Sequence, residues 1–172
     1  KELIRVTGPL YARNPDIDFD ICKYTSLDDA KADYERDLTI YDGVLVLMMT
    51  NWTRLDQFYI NQSKTGLPVI VADIPYCGSG GMLEVTSPTI RSGGFPVPMV
   101  ASLNYNDIAE AAALFGVIKK MKEATILVVK NEVQTDVQQA AQRVWGCRFV
   151  MTSWRSLTGF RTNRRHRWQK SG

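Results

Sequence analysis

The sequence predicts an α/β protein in three layers, with one mainly parallel, doubly wound sheet of about five strands and helices on both of its faces. Three observations carry that expectation. Short apolar segments at residues 43–49 (GVLVLMM), 68–72 (PVIVA) and 98–103 (PMVASL) lack polar alternation, as strands covered on both faces by crossover helices do. Stretches with apolar residues at helical spacing lie between such segments, and this order implies right-handed crossovers. The first two segments run straight into polar or glycine-rich loops, Thr50-Asn51-Trp52 and residues 73–81. Open α/β sheets bind ligands in the crevice beyond the carboxyl ends of their strands, so these loops are where a ligand is expected.

The elements follow in order. Residues 18–24 (DFDICKY) read as a strand with Phe19 and Ile21 on one side. Ser26, with Asp29 three residues on, is an N-cap pattern, so a helix is expected from there to about Leu38. After the strand at 43–49, Thr50 or Asn51 caps a second helix carrying Leu55, Phe58, Tyr59 and Gln62, which Gly66 and Pro68 stop. The strand at 68–72 leads into residues 73–97, which hold five glycines and three prolines. A connection this long inside a domain marks function or mobility. Beyond the strand at 98–103, Asn104 or Asn106 opens the clearest helix, with Ile108, Ala111, Ala112, Phe115, Ile118 and Met121 along one face. A strand at 125–129 (TILVV), a helix at 135–145 closed by Gly146 and a short strand at 148–151 complete a body expected over residues 1–153.

Composition bounds the function. With 172 residues, 45% of them hydrophobic and 23% charged, the chain fits one soluble domain able to bury a core. No apolar run approaches the ~18 residues of a membrane span, and residues 1–14 lack a signal-peptide core. The expectation is a cytoplasmic protein without a membrane partner. Cys22, Cys77 and Cys147 are too few and too widely spaced for a disulfide framework or a zinc pattern, and read as buried thiols in a reducing compartment. The net charge of +3 is uneven: six Lys or Arg and no acid follow Trp154, leaving 15 basic against 18 acidic groups in residues 1–153, or −3. Residues 154–172 are expected to be a basic, disordered tail. Nucleic-acid attraction is the alternative reading of that charge, disfavoured because the body offers no recognition motif and no aromatic-rich basic face.

Chemical motifs are sparse. Gly78-Ser79-Gly80-Gly81 could cradle a phosphate with its amides, but no helix clearly opens after it and no Lys-Ser or Lys-Thr pair follows, so it is neither a P-loop nor a dinucleotide fingerprint. A flexible turn is the simpler account. His166, in the basic tail, is the only histidine, which leaves no readable triad. Asp73 and Glu84 are the only acids in the 73–97 connection and read as turn and capping residues rather than metal ligands. Trp52, immediately after a buried strand, either offers a flat ring on which sugar C–H faces stack or packs under the following helix. Arg54 contacts an anion or hydroxyl, or sits on a solvated helix face.

Residues 66–129, with GLPVIVAD, SGGFPVPMVASL and DIAEAAALFGVIKKMKEATILVV, resemble the N-terminal domain of the L-fucose and L-arabinose isomerase-like sugar isomerases. In that family a strand ending in an aromatic loop (here MMTNW), a G-x-P-V strand, a glycine-containing loop and an E-A-A-x-L-F-G helix lead into the next domain. The resemblance implies a Rossmann-like (flavodoxin-like) domain on the substrate side of an oligomeric aldose–ketose isomerase, whose reaction passes through an enediol at a divalent metal, usually Mn2+. The family's metal ligands, two acids and a histidine, come from later domains. No cofactor is therefore expected in this chain, and it is expected to be inactive by itself. The family's N-terminal domain lends an aromatic to a neighbouring subunit, a role that falls by context on Trp52 and implies a homo-oligomer. The candidate substrate-binding residues are Asn51, Trp52, Tyr76, Ser79 and Gly80, with a small-molecule sugar as partner. From residue 153 the chain departs from the family pattern (SWRSLTGFRTNRRHRWQKSG), which we read as a frame shift that truncated the chain before its catalytic domains. A stand-alone sugar or small-ligand binding module without catalysis is the alternative.

Overall fold

The apolar run VIVAD becomes the middle strand of a three-stranded parallel sheet. In the computed structural model, which describes residues 1–37, 39–50, 55–63, 67–77, 97–130 and 135–156, this sheet belongs to the first of two units, Lys1–Gly116 and Val117–Gly172. Strand β1 (Val44–Met48) pairs with β2 (Val69–Asp73), and β2 with β3 (Met99–Ala101), both in parallel. Every residue of β2 is buried, because it has a strand on each side and helices above and below.

Successive side chains of a strand point to opposite faces, and the two cores divide accordingly. Leu45, Leu47, Ile70, Ala72 and Val100 face one layer, where helices α1 (Glu2–Arg13) and α4 (Tyr105–Glu123) contribute Val6, Leu10, Ile108, Ala109, Ala112 and Phe115. Val46, Met48, Val69, Val71 and Met99 face the other, against Tyr34 of α2 (Leu27–Asp37) and Tyr59 and Ile60 of α3 (Leu55–Gln62). The Tyr34, Phe58 and Tyr59 rings meet edge to face there, with centroids 5.1 to 5.8 Å apart.

Sequence signals set the helix ends. The Asp29 amide donates to Ser26 Oγ at 3.2 Å, the expected cap of α2. Asn104 Oδ1 accepts from the Asn106 amide at 3.2 Å and opens α4. In the second unit, β4 (Thr125–Val129) and β5 (Arg148–Thr152) pair in parallel from Thr125 opposite Arg148 to Val129 opposite Thr152. Helix α5 (Asp136–Trp145) begins in a reciprocal box: Gln138 N–H donates to Thr135 Oγ1, and Thr135 N–H donates to Gln138 Oε1 at 2.8 Å. It ends on Gly146, whose φ of +73° is the left-handed cap that glycine adopts without steric cost.

Among the described residues the five strands form a three-stranded and a two-stranded sheet, parallel in every pairing. One expectation changes. Residues 18–24 form no strand. That segment is held by side chains instead: Phe19 packs edge-on against Tyr11, Tyr41 donates its hydroxyl to Asp20, and Tyr24 donates to Asp33 Oδ2 at 2.9 Å. Helix α1 was hidden in the sequence by the Gly8-Pro9 pair, a turn signal that here lies inside a helix. Burial of Val6 and Leu10, four residues apart on one face, outweighs it.

Candidate functional site

The three strands of the first unit end level with one another: Met48 stands opposite Asp73, and Asp73 opposite Ala101. Their carboxyl edge is the position at which such sheets take ligands. At the centre of that edge is Asp73, the last residue of β2. Its side chain points to the same face as Val69 and Val71, and the residue is 8% exposed. Its Oδ1 is buried and accepts no hydrogen bond among the described residues. The backbone beyond it is satisfied, since the Ile74 amide donates to the Met48 carbonyl at 3.2 Å and the Cys77 amide closes a turn on Ile74 O at 3.0 Å.

That turn projects Tyr76 from the edge. Tyr76 has a φ of +67° and is the one non-glycine residue of left-handed backbone among the described residues. Such a conformation costs on the order of 1 kcal/mol for a residue with a Cβ. The ring is 87% exposed, so no packing within the described residues repays that cost.

The loop after β3 contrasts with Asp73. Asp107 has both oxygens occupied: Ser102 Oγ donates to Oδ2 at 2.6 Å and Asn104 Nδ2 to Oδ1 at 3.0 Å. Ser102 Oγ in turn accepts from the Asn104 amide at 3.0 Å. Helix α1 lies across the start of α4, with Arg13 donating to Asn106 Oδ1 and Glu110 Oε1 at 2.9 Å each. Tyr105 donates to Glu2 Oε2 at 2.7 Å, and Arg5 donates to Glu2 Oε1 at the same distance. The Tyr105 hydroxyl, and after it Arg5, hold the Glu2 carboxyl below its ordinary value, and the same bond pushes the Tyr105 phenol up. Away from this edge the Tyr24 phenol is also pushed up, first by burial and then by bonds to Cys22 and Asp33.

Of the expected substrate-binding residues, Tyr76 stands on the edge beside Asp73. Asn51, Trp52, Ser79 and Gly80 lie outside the described residues, as do Arg54, Glu84 and the Gly78–Gly81 run. Asp73 is corrected: it caps no amide among the described residues and is a buried strand residue with an unsatisfied oxygen. A signal for it was present in the sequence, because an acid that closes an apolar run with no polar alternation is placed on a strand buried on both faces. Tyr34 Oη is the other buried side-chain polar atom without a partner among the described residues, and it lies in the layer that Asp73 faces.

The described residues contain no group of three His, Cys, Asp or Glu side chains placed to hold a metal ion, and no helix long and apolar enough to cross a membrane. Comparison with protein-family models, with curated proteins and with solved structures finds no match to this chain.

Proposed function

We propose that this chain is the sugar-binding, substrate-side domain of an aldose–ketose isomerase of the L-fucose and L-arabinose isomerase kind. The resemblance over residues 66–129 is the basis in sequence. One structural observation carries the reading furthest: Tyr76 stands 87% exposed, in left-handed backbone, at the carboxyl end of the central parallel strand. Strained backbone clusters where function over-determines it, and an aromatic held open at this edge is a surface on which a sugar ring stacks. Asn51, Trp52, Ser79 and Gly80 complete the proposed contacts. Asn51 and Ser79 supply donors and acceptors, and Gly80 lets the backbone approach closely.

The finer architecture belongs to the same proposal: a Rossmann-like (flavodoxin-like) body with a single doubly wound sheet of about five strands. Parallel pairing in every described ladder supports it, as does the single residue, Ala124, between α4 and β4. The resemblance leaves the metal to later domains, and the reading assigns this chain no turnover of its own. A homo-oligomer in the cytoplasm follows from the same reading; of the three thiols expected to be buried, Cys147 is, whereas Cys22 and Cys77 are exposed.

Chemical-shift mapping with pentoses and 6-deoxyhexoses tests the placement. Binding by this half-site is expected to be weak, in the millimolar range, with shifts at Thr50, residues 74–77 and Ser102. Shifts confined to the amino ends of β1–β3 or to the basic tail refute it. Turnover of L-fucose or L-arabinose by the isolated chain with Mn2+ would show that the catalytic groups had been placed in the wrong domains.

A further inference from the structure

Two carboxylates stand at the carboxyl edge of β1–β3, and their surroundings differ. Asp107 is bonded through both oxygens to Ser102 and Asn104, which accounts for it as the organiser of the α4 cap. Asp73 has no such account. It ends the most buried strand of the sheet, it is more than nine-tenths buried, and its Oδ1 has no donor among the described residues. Aspartate is disfavoured in strands, and a buried carboxylate oxygen without a donor lowers stability. The strand positions beside it are Met48 and Ala101, neither of which brings a side-chain donor. Among the described residues no ion pair reaches Asp73; Arg5 pairs with Glu2 and Arg13 with Glu110, both from α1.

What the described residues do not bring to Asp73 is a donor for Oδ1 and a positive charge. A ligand hydroxyl supplies only the first, and an anionic ligand opposes the second. A protonated amine supplies both, in a charge-assisted hydrogen bond about twice as strong as a neutral one. We infer that Asp73 anchors the ligand of this edge, and that this ligand carries a protonated amine: an amino sugar in the terms of the sugar-binding reading, on which the inference rests.

The test titrates the full chain, isotopically labelled, with galactosamine, galactose and N-acetylgalactosamine under conditions that keep the amine protonated. Galactosamine is expected to bind at least about tenfold more tightly than the other two. The Asp73 carboxyl carbon resonance is expected to move with it. The near-isosteric, neutral substitution Asp73→Asn should bring the three affinities within about twofold of one another. Equal affinities for galactosamine and galactose in the unaltered chain overturn the amine while leaving the sugar-binding reading in place. A preference that survives Asp73→Asn, or an Asp73 carboxyl signal that does not move, overturns the anchor. That signal is read on the unaltered chain and decides the matter even where the variant does not fold. Absence of binding by all three sugars overturns the inference and the sugar-binding reading together.

Discussion

The ring of Phe115 occupies the space that a side chain at residue 43 would need. A Cβ on Gly43 would run into the ring edge of Phe115 and would stand 3.1 Å from the Pro68 carbonyl oxygen. The glycine before β1 thus lets α4 close on the sheet, and the aromatic that fills the gap is part of the core that holds both. Gly43→Ala is expected to destabilise the first unit by about 1–3 kcal/mol through overpacking. Urea unfolding of the two proteins measures it, and an unchanged midpoint would show that Phe115 moves aside at no cost.

Asp73→Val is expected to act in the opposite direction. Removing a buried oxygen that has no donor among the described residues, in favour of a β-branched side chain matching Val69 and Val71 on the same face, should raise stability by about 1–3 kcal/mol. A higher urea midpoint at unchanged slope is the readout. A loss of stability would mean that the carboxylate is satisfied in solution.

Tyr76→Asn separates strain from contact at the edge. Asparagine tolerates left-handed backbone, so stability should stay level or rise by up to about 1 kcal/mol. Sugar-induced shifts at residues 74–77 should disappear with the ring. If they persist at full amplitude in the variant, Tyr76 is not the stacking surface.

Glu2 gives the first unit an acid sensitivity whose sign is set by Tyr105 and Arg5. Its carboxyl is held below the ordinary value of 4.5 in the folded chain. The stabilisation is therefore complete above that ordinary value and is lost as the pH falls through the lower, folded one. Tyr105→Phe removes the largest cause of the shift. Urea midpoints between neutral pH and about pH 3 should fall less steeply in the variant than in the unaltered chain. Parallel pH profiles would sink the assignment.

Helix α5 has no fully buried side chain, so its two caps weigh heavily in its stability. Gly146→Ala forces a Cβ into left-handed backbone and to within 2.9 Å of Lys122 Cγ. A loss of about 1 kcal/mol is expected, read as faster amide exchange along residues 136–145. Unaltered exchange would show that the cap is dispensable.

Much of this architecture was legible because it is decided by neighbours in sequence. Ser26 with Asp29 and Thr135 with Gln138 lie within one turn of each other, so their residue types announce the caps. The apolar run that becomes β2 shows its burial on both faces by lacking alternation, and the position of Tyr76 just after that strand could be read from the same run. Other features depended on partners far along the chain. Residues 18–24 have the composition of a strand but are held through their side chains by Tyr11, Asp33 and Tyr41, and α1 is a helix because Val6 and Leu10 find Ile108 and Ala112 about a hundred residues later. Asp73 is the clearest case. The sequence placed it just after a buried strand as a turn or capping residue, whereas the fold makes it the last residue of that strand, beside Met48 and Ala101 from separate strands, neither of which brings a side-chain donor. Hydrogen bonding is short-ranged and directional, so only the folded chain decides which polar groups are left unpaired.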